Sequence, residues 1–280
     1  MENILRTLVF DGQVSLTLAD TTTIVKDAVR LHKLSMPSAF VFGKTLSAMT
    51  FMSACLKQET GEISLSIKSD GECGEIAVSG NRLLNMRGFI DNTQATGDEY
   101  TLLGENGSLT IIRDDGYNRP FVGTCVLSKD GVDKAFEQYY QISEQLPTFI
   151  ATSVEFDNDG EVVFAGVAVL QPLPFADEEV LQQTKNTPLY EVLKSLQKGT
   201  LESVVAQYFA VDKSVWELRN AQYKCNCSRD YLTRVLVSLG NEQMRSIIEE
   251  DGAVRVHCHY CNTDYEFTDE DRIKIFSVGK

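Results

Sequence analysis

The chain has 280 residues, 43% apolar and 24% charged, the balance of a globular protein with room for one large domain or two. A net charge of −14 and a pI near 4.7 disfavour a nucleic-acid binder, which neutralises phosphates with clustered Lys and Arg. The longest purely apolar run, VVFAGVAVL at 162–170, falls far short of the ~20 residues of a membrane helix. MENILRTLVFDGQ makes a poor secretory signal, so the expectation is a cytoplasmic protein without membrane partners, its thiols kept reduced.

In chain order, GQVSLTLAD (12–20) sets Val14, Leu16 and Leu18 on one face of a strand. TTTIVKDAVRLHKL (21–34) changes to helical spacing, with His32 decorating a face. Pro37 then opens a strongly apolar helix over 38–58. The end of SAFVFGKT imitates a phosphate loop, but Ser38 stands where the first glycine belongs and the interior is apolar. Strands return with GEISLSIKSDG, GEIAVSG, LLNMRGFID, GSLTIIRDDG and FVGTCVLSK, separated by Gly, Asp and Asn turns. A helix over 131–146 stops at Pro147, and 152–174 forms a hairpin turning at Asp157-Asn158-Asp159-Gly160. The fold class is α+β: a mixed α/β core domain over 1–176, a helical linker over 177–220, and a small four-cysteine zinc domain over 221–280.

Two apolar stripes mark the linker: Leu189, Val192, Leu193 and Leu196, then Val204, Val205, Tyr208 and Phe209. Pro188 and Gly199 interrupt it, so no helix there is long enough to stand alone. The stripes are either ordinary core packing or the releasable surface of a metastable segment. In the terminal domain Ser228 caps a helix that Gly240 ends, a second short helix follows, and AVRVHCHYCNTDYEF forms a hairpin. On it Val254 and Val256 face Tyr265 and Phe267.

Four of the seven cysteines fall in this last fifth, as C-x-C (Cys225, Cys227) and C-x-x-C (Cys258, Cys261). Two such pairs aimed at one point build the tetrahedron of a closed Zn²⁺ site. Haem attachment fails because Asn262, not His, follows Cys261. A thioredoxin-type pair belongs at a helix start, not in a hairpin. With four sulfurs present, His257 and His259 are not needed as ligands and face solvent. Four thiolates on one Zn²⁺ stay nucleophilic at neutral pH and are open to peroxide. A C-x-C disulfide would close a very small, strained loop and be easily reduced again. The residues alone leave a structural staple and a redox switch both open. Cys55 and Cys125 read as core; Cys73, in GECGE, reads as an exposed bystander.

The terminal pattern CNCSRD…LVSLGNEQMRSIIEEDGAVRVHCHYCNTDYEF resembles the thirty-three-kilodalton redox-regulated heat-shock chaperonins of bacteria. DGQV, KSDG, RGFIDN, GSLTIIRD, YYQISEQLPTFIATSV and AGVAVLQPLP follow the same family's order and spacing, so the resemblance spans essentially the whole chain. GECGE departs from the family's usual Gly-Asp-Gly-Pro loop, and Phe175 stands where Gly is usual. The resemblance implies an ATP-independent holdase, not an enzyme. Reduced, it binds one Zn²⁺ per chain through Cys225, Cys227, Cys258 and Cys261 and is inactive. Oxidation would close Cys225–Cys227 and Cys258–Cys261, expel zinc, and unfold the linker and zinc domain. The linker stripes would then capture unfolded or oxidatively damaged client proteins, and the oxidised chain would form a homodimer. A thiol-disulfide oxidoreductase, a purely structural zinc protein and a zinc-ribbon nucleic-acid module are the alternatives; the acidic TDEDR beside the site opposes the last.

Overall fold

The computed structural model describes residues 2–209, 211 and 215–277. Of the expected linker, residues 210 and 212–214 therefore lie outside the described residues. The chain divides into two compact units, Met1–Tyr223 and Lys224–Lys280.

The first unit is organised around one buried helix. Strands β1 (Ile4–Val9) and β2 (Val14–Asp20) lead to α1 (Thr22–His32) and then α2 (Met36–Ala54). The Ser35 side chain accepts from the Ser38 backbone N–H, and Pro37 sits in the first turn, where its missing N–H costs nothing. Apart from Phe40, every residue of α2 from Ser38 onward is buried, because the helix has no polar face to give to water. Its small hydroxyls survive there by donating one turn back: Thr45 to the Val41 carbonyl at 2.8 Å, Ser47 to Gly43 at 2.8 Å, Thr50 to Leu46 at 2.9 Å.

Sheets flank α2. β3 (Glu62–Ser69), β4 (Glu75–Asn81), β5 (Asn85–Ile90), β6 (Gly107–Asp114) and β7 (Phe121–Val126) form one antiparallel sheet, with α3 (Glu99–Leu103) between β5 and β6. On β3, Ile63, Leu65 and Ile67 face the core while Ser64 and Ser66 face away, the alternation of a sheet covered on one side. α4 (Val132–Tyr139) runs into a π-helical turn, Tyr140–Glu144, so the single helix expected over 131–146 is two segments. Gln145 closes it at φ 52, in the left-handed region.

β8 (Phe149–Phe156) and β9 (Val162–Pro172) pair with β2 and β1 in the second sheet, and the Asp157 side chain holds the hairpin turn by accepting from Asp159 and Glu161. β9 is apolar almost throughout because both faces are covered. Val167 and Val169 join the core around α2, while Ala168 and Leu170 face the opposite way. Against that second face lie α5 (Glu178–Asn186), α6 (Leu189–Leu196) and α7 (Leu201–Tyr208). Leu189, Val192, Leu193, Leu196, Val204, Val205 and Phe209 are buried there among Leu5, Leu16, Leu18, Phe164 and Leu170, with Tyr208 half-buried beside them.

Two short strands were not legible in the sequence. β10 (Glu217–Arg219) joins the edge of the second sheet beside β1, and β11 (Gln222–Tyr223) adds in parallel beside β5 in the first. Asn3 grips the turn between them, donating to the Ala221 carbonyl (3.0 Å) and accepting from its N–H (2.7 Å). β1, too, carried no readable alternation. No helix among the described residues is long and apolar enough to cross a membrane.

Three single-residue expectations change. Cys73 is fully buried: its N–H bonds to Leu102 O at 3.1 Å, so GECGE folds under α3 despite its charged neighbours. His32 does not merely decorate a helix; Nε2 lies 3.0 Å from the Tyr223 hydroxyl, and its ring meets Phe42 and Tyr223 edge-on. Cys55 is half-buried, whereas Cys125 is buried as expected. The GKT of SAFVFGKT is inside α2, its lysine paired with Glu99 and unavailable to a phosphate.

Candidate metal centre

The second unit combines a small apolar core with its four thiols. Helices α8 (Arg229–Leu239) and α9 (Asn241–Asp251), hairpin strands β12 (Val254–Cys258) and β13 (Thr263–Phe267), and helix α10 (Asp269–Ser277) enclose a core centred on Leu236, Met244, Val254 and Phe267, with partly buried side chains such as Leu232, Ile248, Tyr265 and Phe276 packed on it. Val254 pairs with Phe267 and Val256 with Tyr265, the register that the alternation gives. A unit of this length with so small a core is marginal by itself.

Local geometry aims each sulfur. Ser228 caps α8 by accepting from Tyr231 N–H at 3.1 Å, which fixes the extended segment carrying Cys225 and Cys227 just before it. Cys258 ends β12, and Cys261 follows in a turn closed by its N–H to the Cys258 carbonyl at 3.3 Å. Asn262 takes the left-handed conformation (φ 50) that returns the chain into β13.

The four Sγ atoms lie within 4.8 Å of one another. Cys225 and Cys258 are 3.8 Å apart, the edge of a tetrahedron whose sulfurs stand about 2.3 Å from a central ion. Cys227 and Cys261 are 3.1 Å apart and need only a small widening to match. Both of these contacts cross between the C-x-C and the C-x-x-C pair. All four are partly exposed.

Neighbours grade the metal-free thiols. Burial pushes the Cys225 thiol well above its ordinary value. Burial also pushes Cys227 upward, but hydrogen bonds from the Tyr265 hydroxyl (3.3 Å) and the surrounding thiols outweigh it, leaving Cys227 below its usual value. Cys261 is pushed up to about 11 by burial, against an opposing contact with Thr263 Oγ1 at 3.3 Å. Tyr265 was legible in sequence only as a hairpin residue facing the valines, and neither it nor Thr263 was assigned to the sulfurs. Their signal lay in the hairpin alternation, which points residue 265 to the face that carries Val256.

His257 and His259 are exposed and outside the sulfur cluster. A second cluster, unseen in sequence, lies within the first unit. Lys44 Nζ stands 3.0 Å from both Glu99 carboxylate oxygens and 3.7 Å from Asp133. Asp133 also accepts from the Thr152 hydroxyl, the Thr152 N–H (3.2 Å) and Tyr190 on α6.

These parts define a two-unit α+β protein whose smaller unit presents a four-thiol site able to hold a soft or borderline metal ion. A family model described as Hsp33 protein matches residues 2–268. Among curated relatives, the 33 kDa chaperonin of Acetivibrio thermocellus is 31% identical, covering 98% of this chain and 97% of that one. The 33 kDa chaperonin of Bacillus cereus is 30% identical over 96% of each. The crystal structure of the 33 kDa chaperonin from Thermotoga maritima shares the fold, with a TM-score of 0.84, 24% identity, and coverage of 100% of this chain and 99% of that one. The chain belongs to the Hsp33 family, a family of chaperones and not of enzymes.

Proposed function

We propose that this chain is a cytoplasmic, redox-activated holdase: inactive while its four cysteines bind one Zn²⁺, and able to capture unfolding proteins once they are oxidised. The convergence of Cys225, Cys227, Cys258 and Cys261 to within 4.8 Å carries the reading. An all-thiolate set with near-tetrahedral spacing suits Zn²⁺ and leaves no open position for substrate. When bound, the ion keeps the sulfurs deprotonated at neutral pH and braces a unit whose own core is small.

The pairing Cys225–Cys227 and Cys258–Cys261 comes from the family resemblance. Each pair gives two electrons to one peroxide; an S–S bond forms, the O–O bond breaks, and with two protons the peroxide leaves as two waters. Sulfurs joined in this way have lost the charge that holds a dication, and the unit loses its brace. The linker, 177–220, then releases its helices. Leu189, Val192, Leu193 and Leu196 on α6, with Val204, Val205, Tyr208 and Phe209 at α7, and the sheet face beneath them, become the client surface. Helices of eight or nine residues do not persist in water unless docked, so release exposes the stripes. Clients are unfolded or oxidatively damaged proteins, and the oxidised chain forms a homodimer.

The test follows suppression of aggregation of a heat-unfolding client before and after peroxide, with zinc release read by a chromogenic chelator. Activity and zinc release are expected to rise together. Equal activity in both states, or zinc retained under oxidation, leaves a structural zinc protein and removes the switch. Steady turnover of a disulfide substrate, without stoichiometric client binding, would indicate an oxidoreductase.

A further inference from the structure

We propose, on the redox reading above, that Tyr265 restrains oxidation of the Cys225–Cys227 pair, its hydroxyl donating to Cys227 Sγ and drawing charge from a sulfur that must act as a nucleophile. Tyr265 is on β13, opposite Val256, and its ring packs on the small core of the second unit. That packing holds the hydroxyl from behind. It reaches the extended segment before α8, where Oη lies 3.3 Å from Cys227 Sγ.

The chemistry of the centre fixes the direction of this bond. Thiols that ligate a metal are deprotonated, so the sulfur can only accept and the phenol is the donor. Thr263, the neighbouring hydroxyl, is placed differently. Its one proton goes to the Cys261 carbonyl at 3.1 Å, leaving none for Cys261 Sγ at 3.3 Å. Cys225 Sγ accepts the backbone N–H of Cys227 at 3.4 Å. Each sulfur of the C-x-C pair thus has a donor, and the one at Cys227 belongs to a side chain that a single substitution removes.

Oxidation of the pair begins when one thiolate attacks a peroxide oxygen. Its electron pair forms the S–O bond, the O–O bond breaks, and hydroxide leaves to take up a proton. The other thiolate then displaces hydroxide from the sulfenic acid, the S–S bond closes, and a second proton makes a second water. Cys227 spends an electron pair in whichever of the two steps it takes. Hydrogen bonds to metal-bound sulfurs stabilise that pair and tune the centre. A hydrogen bond to a charged acceptor changes its basicity by about tenfold, and thiolate nucleophilicity follows basicity with an exponent of about 0.4–0.5. Loss of the Tyr265 hydroxyl should therefore speed the reaction of Cys227 about threefold.

The test compares Tyr265→Phe with the natural full-length chain, first without oxidant. Loaded with Co²⁺, the variant should show its sulfur-to-cobalt charge-transfer band at longer wavelength, with the tetrahedral d–d bands in place. Loaded with Zn²⁺, its Cys227, mapped by mass spectrometry, should be alkylated by iodoacetamide about threefold faster. Peroxide should then close Cys225–Cys227 faster by the same factor. Thr263→Val, which removes no donor to sulfur, should match the natural chain in all three. An unmoved band or an unchanged alkylation rate overturns the hydrogen bond. An equal shift in Thr263→Val overturns it as well, as a disturbance of the hairpin. Faster alkylation with unchanged disulfide closure overturns the restraint. Zinc retained by the natural chain under peroxide would end the redox reading and the restraint with it, while the band and the alkylation rate report separately on the bond.

Discussion

The hydroxyl of Tyr190 donates to the carboxylate of Asp133 at 2.6 Å, tying the first turn of α6 to a buried charge cluster beneath it. Asp133 is 6% exposed and shares Lys44 with Glu99, one cation between two carboxylates. A buried carboxylate in that position depends on every donor it has. Burial, and then the Asp133 charge, push ionisation of the Tyr190 phenol well up, so it remains a donor at any physiological pH.

Tyr190→Phe removes that donor and keeps the ring. Tyr190 is half-exposed, so the loss is expected near the low end for a hydrogen bond to a charge, about 1.5 kcal/mol. It falls on the attachment of α6. Limited proteolysis of the reduced protein should cut sooner within 177–209, with the rest of the first unit unchanged. An unaltered digestion pattern would show that the bond is dispensable.

Leu193→Ala acts on the same helix through packing. Leu193 is 1% exposed in the cluster between α6 and the second sheet, and truncation in such a place costs about 2–5 kcal/mol. The expected consequence is aggregation suppression without oxidant. A variant that unfolds wholly in a urea melt, with no separate early transition, would count against independent release of the linker.

Removing metal should affect one unit and spare the other. Chelation of the reduced chain is expected to leave Met1–Tyr223 folded and to make Lys224–Lys280 protease-sensitive, yielding a fragment that ends near residue 223. Replacing any one of the four cysteines by Ser should lower metal affinity by more than the ten- to hundredfold typical of losing an outer-shell partner. A second unit equally protected with and without metal would contradict this.

Acid should weaken the loops flanking α3. Asp70 is held below the usual carboxylate range by Asn106, whose side chain and backbone both donate to it. Asp98 is lowered by the backbone and hydroxyl of Thr101 as the N-cap of α3. A lowered folded value means that the contribution is complete above the unfolded pKa, about 4, and disappears as pH falls through the folded value. Asp70→Asn and Asp98→Asn should therefore be less stable than the parent at neutral pH and converge with it in strong acid. Urea midpoints against pH check this; a constant gap at every pH would refute it.

What could be read from sequence was whatever a short spacing encodes. C-x-C and C-x-x-C announce a metal site because its geometry needs one residue type at fixed offsets, and the stripe Leu189 to Leu196 announces a buried face because it repeats every turn. Lys44, Glu99 and Asp133 come from three distant segments, and no local pattern joins them. Their one trace was a lysine amid the apolar FVFGKTLSAM, which requires a buried acid somewhere. β10 and β11 are too short for any period to show. Cys73 was misjudged from its charged neighbours, whereas its burial is decided by where α3 lies.

If the linker is released as proposed, the short strand β10 limits how its helices move. The segment that holds α5 to α7 leaves β9 and ends on β10, and both strands belong to the second sheet. It is a captive loop, fastened at each end to the surface it covers. Redocking is then an intramolecular event with an effective concentration set by the loop and not by the amount of protein. On that proposal, a freed helix returns to its own sheet unless a client takes its place or β10 peels from β1. The proposed choice between rest and capture thus sets a tethered helix of the same chain against an incoming client.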